Sequence, residues 1–112
     1  MMQDVHEKVE SIPVVLTTLG NNIIVPASPT GEFYIYIHEI IGSADAPVTL
    51  QILAGSRVLA EFDLAAGQGI TEDDIPGHDG VPRFSCLPGE DFIINLSASV
   101  NFKGGCAHSR RY

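Results

Sequence analysis

The stretch Phe92-Ile93-Ile94-Asn95-Leu96-Ser97-Ala98-Ser99-Val100-Asn101-Phe102 decides the fold class. Phe92, Ile94, Leu96, Ala98, Val100 and Phe102 fall on one side of an extended chain, with Asn95, Ser97, Ser99 and Asn101 opposite. This period of two predicts a long strand with one face in a core, because on a helix the same apolar residues would scatter around the axis. Just upstream, Pro88-Gly89 forms the clearest turn in the chain. Downstream, Gly104-Gly105 permits a bend or bulge before a final segment from Cys106 to Tyr112.

The same periodicity recurs towards the N-terminus. Val81 to Leu87 reads as a strand, and Val48 to Ala54 with Arg57 to Leu64 reads as a hairpin turned at Gly55-Ser56. Between them, Ala65 to Gly80 is the longest loop, interrupted by a brief strand near Ile70. Glu32 to Ile41 alternates too, with Phe33, Ile35, Ile37 and Ile41 on one face and Tyr34, Tyr36, His38 and Ile40 on the other. Ile12 to Leu19 and Ile23 to Val25 complete the series, separated by the turn residues Gly20-Asn21-Asn22. Only the first twelve residues carry helical spacing, at Met2, Val5, Val9 and Ile12, with Pro13 as the stop. About eight short strands with no helix between them predict an all-β fold, an antiparallel two-sheet β-sandwich of jelly-roll type. Residues 13–112 form its one domain, preceded by a short arm over 1–12.

At 112 residues, 45% hydrophobic and 18% charged, the chain is sufficient for one core without needing a disulfide or metal staple. The net charge of −8, from 14 acidic and 6 basic residues, argues against nucleic-acid binding. No apolar run reaches the length of a membrane helix and no secretory leader is visible, so the expectation is a protein made in a reducing cytoplasm, with Cys86 and Cys106 as two buried free thiols.

Chemistry-bearing constellations are sparse. His6, His38, His78 and His108 lie in separate segments; a cupin-type metal site would need a second histidine two residues from His38, and position 36 is Tyr36. The acids of Thr71 to Gly80 cluster at the two ends around Pro76-Gly77, which favours a solvated loop over a Ca²⁺ loop. Gly67-Gln68-Gly69 is too short for a nucleotide fingerprint and reads as a turn. Ser85 and Ser109 are expected to have no nearby base, which leaves a hydrolase reading unsupported. The expectation is therefore no catalytic residue, no cofactor and no metal. What the core does not need is the arm, the outer tyrosines and the last residues, which makes Val5, Val9, Ile12, Tyr34, Tyr36, Arg110, Arg111 and Tyr112 the candidate protein interface. The arm has two readings, a clasp on a neighbouring subunit or a frayed terminus.

Ile23-Ile24-Val25-Pro26-Ala27, Val48-Thr49-Leu50, Phe62-Asp63-Leu64-Ala65-Ala66-Gly67 and Pro88-Gly89-Glu90-Asp91-Phe92 running into Leu96-Ser97-Ala98-Ser99-Val100 carry a resemblance over Asn22 to Tyr112. In these segments the chain resembles the small jelly-roll proteins that cement or decorate the heads of tailed bacteriophages. The resemblance implies a non-enzymatic virion protein on the capsid surface, with the major capsid protein as partner and a homo-oligomer, dimer or trimer, as its state. The competing expectation is a carbohydrate- or receptor-binding sandwich from a phage tail or fibre, which exposed Tyr34 and Tyr36 would suit and the lack of any Trp weakens.

Overall fold

The computed structural model describes residues 9–74 and 81–112. Nine strands run through them: β1 (Glu10–Leu16), β2 (Gly20–Val25), β3 (Tyr34–Ala44), β4 (Val48–Ala54), β5 (Arg57–Leu64), β6 (Gly69–Asp73), β7 (Phe84–Cys86), β8 (Phe92–Leu96) and β9 (Phe102–Arg111). One sheet has the order β1-β9-β3-β6, with β7 pairing β3 beyond β6; the other has the order β2-β8-β4-β5. Every pairing is antiparallel. With β7 set aside, the chain crosses between two four-stranded sheets at every connection except the β4–β5 hairpin, as in a jelly roll. The two inner faces meet on Ile35, Ile37, Ile40, Leu50, Ile52, Phe92, Ile94, Leu96 and Phe102, all fully buried.

Local chemistry explains the turns. Gly55, at φ 58°, takes the first of the two loop positions between β4 and β5, the place a type II′ hairpin reserves for glycine. At Pro88-Gly89 the Glu90 N–H donates to the Leu87 carbonyl at 3.0 Å, and Gly89 at φ 90° supplies the positive φ of a type II turn.

The deciding stretch is not one strand. It is β8, a corner over residues 97–101, and the first residue of β9, so its ends belong to different sheets. The alternation survives because Val100 still faces the core while the polar side turns the chain. Ser97 holds Thr49 through both its amide and its hydroxyl, and Asn101 is gripped by the Asp45 carboxylate through its amide N–H at 2.9 Å and its side-chain Nδ2 at 2.7 Å.

Other expectations shift for equally local reasons. β3 bulges between Ile37 and Glu39, so His38 is an extra residue and the faces swap: Ile40 is fully buried and Ile41 is 46% exposed, the reverse of a regular alternation. Glu10 to Ile12, expected in a helical arm, open β1 instead, and that strand runs through Pro13 because among the described residues β1 pairs with β9 alone and leaves an edge where a missing N–H is tolerated. The rest of the helical expectation, including Met2 and Val5, lies outside the described residues. Gly104-Gly105 makes no bend: both sit inside β9, where Gly104 faces Gly42 of β3.

A candidate docking surface where β3 and β9 meet

Antiparallel pairing sets the start of β3 against the end of β9, so that Tyr34 lies opposite Arg111, Ile35 opposite Arg110 and Tyr36 opposite Ser109. Alternation then sorts these residues into two sets. On the outer face Tyr34 and Tyr36 stack with ring centroids 6.3 Å apart and an interplanar angle of 29°. On the core side, at the end of the sandwich, the Arg110 guanidinium lies 5.1 Å above the ring of buried Phe33, and Phe33 meets Tyr112 edge-on at 5.3 Å. Tyr34 is 41% exposed and Tyr112 81%. Two adjacent arginines and three tyrosines thus crowd one end of a protein whose net charge is −8. Elsewhere in the protein, Arg57 is paired with Glu90 at 2.7 Å and Arg83 with Glu72 at 3.0 Å.

Most of the expected interface residues therefore come together, although their sequence positions are nearly eighty apart. Val9 joins them, because it immediately precedes the pair Glu10 and His108 at the neighbouring edge of the sheet, and it is exposed. Ile12 does not: it is half-buried and packs against the core. Val5 lies outside the described residues.

Beside the tyrosines is a constellation that sequence spacing hides. The bulge in β3 turns His38 so that its Nδ1 lies 2.8 Å from Asp74 Oδ1 and its Nε2 lies 2.8 Å from Ser109 Oγ. Ser109 thus has a base within hydrogen-bond reach, His38, a correction to the expectation of none. The order carboxylate, imidazole, hydroxyl is that of a serine nucleophile with its base and orienting group. Acyl transfer further requires access for the substrate and donors for an oxyanion. Ser109 is 1% exposed and lies within a paired stretch of β9, so its amide and hydroxyl serve the sheet. As it stands, the relay is a clamp tying the end of β6 to β9 across β3. A signal for it existed in His38 standing where the alternation fails, but Asp74 and Ser109 are 36 and 71 residues away and only the sheet order unites them.

Other groups are accounted for. Cys86 and Cys106 are free and buried, and burial pushes both thiols up to about 12. They pair with β3 at Ile35 and Ile40, roughly 16 Å apart along the strand at ~3.3 Å per residue, well beyond disulfide reach. At the opposite end of the sheet an open cleft of about 340 Å³ is lined by Asp45, Asn101 and Lys103, but the Asp45 carboxyl is already held by Asn101, whose hydrogen bonds lower its pKa. Among the described residues no three His, Cys, Asp or Glu side chains converge as metal ligands.

No protein-family model matches the chain, and no curated protein matches it. Among solved structures, a chain from the work described as "Bacillus endospore appendages form a novel family of disulfide-linked pili" superposes with a TM-score of 0.51 at 13% identity, over 98% of this chain and 93% of that one. At that identity the likeness concerns the fold alone, and it agrees with the class the topology defines, an all-β two-sheet sandwich.

Proposed function

We propose that this protein is a structural subunit that acts by docking on other protein subunits, and in particular that it is a cement protein on the outside of a tailed-phage head, bridging junctions between major capsid subunits. The observation that carries the docking reading is the exposed tyrosine and arginine cluster formed where β3 meets β9. Tyrosine and arginine are the residue types that anchor protein interfaces, because each offers large contact area together with a polar tip. The pilus subunit of similar fold supports a structural role in general; the capsid assignment rests on the sequence resemblance. The disulfide linkage named for those pili is not proposed for this chain, whose two thiols are buried.

Docking on protein is favoured over stacking on sugar because the Tyr34 and Tyr36 rings are turned towards each other, which leaves a narrow ridge rather than a flat aromatic platform. Mixing the purified protein with capsids of its own virus that lack it, then pelleting, tests the assignment. Saturable copelleting with a raised capsid melting temperature supports cement; absence of binding, or retention on a glycan array that Tyr36→Ala abolishes, replaces it with the fibre-module reading.

A further inference from the structure

His108 lies in β9 with its ring on the core side, 4% exposed, and its Nδ1 has no hydrogen-bond partner. A buried polar atom left unpaired is uncommon and destabilising, so its persistence calls for an explanation. Its surroundings supply one. Across the sheet on one side is Ile37 of β3, and on the other is Glu10, the first residue of β1. Among the described residues the titratable and charged groups that act on it are Arg110 from its own strand, Glu10 from β1 and His38 from β3, of which Glu10 alone favours a positive imidazole.

We infer that His108 is an acid-sensitive latch on the edge strand β1. In its neutral form the imidazole fits a largely apolar site. Protonation would turn the unbonded Nδ1 into an unbonded N–H carrying charge, beside the Arg110 guanidinium. The least costly relief is to lift the Glu10 end of β1, since among the described residues β1 pairs with β9 alone and water then reaches the ring. His38 has no such problem, because both its ring nitrogens have partners.

The sign follows from linkage. Burial, then Arg110, lower the folded-state pKa of His108 from 6.5, so the opened strand binds the proton more readily than the closed one. Closure is fully stable above pH 6.5 and weakens as pH falls below it. Val9 precedes β1 directly, so the latch would also alter one border of the docking surface. It does not depend on what docks there.

Hydrogen exchange of the isolated protein, corrected for intrinsic rates and read at pH 7.5 and 5.0, tests it. The hydrogen-bonded amides at the Glu10 end of β1, residues 10–12, should lose at least tenfold in protection at pH 5.0 relative to those of β4 and β8. His108→Leu, or His108→Asn if the leucine variant does not fold, should remove that difference, and Glu10→Gln should enlarge it. Equal protection of β1 at both pH values, or a tenfold loss that persists in the His108 variants, would overturn the inference.

Discussion

The Nε2 of His38 and the Oγ of Ser109 are joined at 2.8 Å, although 71 residues separate them, because a bulge in β3 adds one residue opposite β9. Treated as a clamp, this contact has a defined energetic meaning. Ser109→Ala leaves a ring nitrogen of His38 without its partner and should cost about 1 to 3 kcal/mol in urea unfolding. A fluorophosphonate probe should leave native Ser109 unmodified; labelling there would mean that the hydroxyl is an accessible nucleophile and that the relay does more than hold strands.

Among the described residues Gly104 is the least replaceable glycine. A Cβ there would collide with the Ile41 carbonyl oxygen and come within 2.5 Å of the Gly42 Cα, and both are backbone. Gly104→Ala should therefore destabilise by about 3 kcal/mol or prevent folding, at the upper end of overpacking costs. Gly67→Ala, at φ +78° with nothing within 4 Å, should cost only the ~1 to 2 kcal/mol of a left-handed backbone. Thermal melts of the two variants should rank them in that order.

Both thiols should be inert in the native state. With Cys86 and Cys106 pushed up to about 12, a disulfide-exchange reagent at pH 8 finds little thiolate and no access. Two equivalents should react only after denaturation, and rapid reaction of either in the native protein would contradict their burial.

Glu90 fixes the turn after β7. It takes two hydrogen bonds from Arg57 and one from the Leu87 amide, and the Arg57 bonds hold its pKa below the carboxylate value of 4.5. A depressed acid stabilises the fold above its unfolded pKa, so this contribution is present above pH 4.5 and lost as pH falls through the folded value. Glu90→Gln should lower the melting temperature at pH 7 and lose less of it on acidification than the unmodified protein.

The all-β class was legible because each inner face is written as alternating apolar residues, and alternation depends on neighbours only two positions away. What escaped the sequence depends on distant partners. The corner at residues 97–101 needs Asp45 and Thr49 to catch Asn101 and Ser97, the bulge at His38 shows only against β9, and Gly104 looks like a hinge until Gly42 lies opposite it. The candidate interface was half legible. Tyr34, Tyr36, Arg110, Arg111 and Tyr112 stand out as residues the core does not need, yet nothing in their spacing says that β3 and β9 place them together.

The central claim is that this cluster is where the protein docks, and occupancy on capsids measures it directly. Triple replacement Tyr34→Ala, Arg110→Ala and Arg111→Ala should reduce the copies bound per capsid at least tenfold at subsaturating concentration. Lys103→Ala, at the other end of the sheet, should leave binding unchanged. Full occupancy by a correctly folded triple variant would contradict the account.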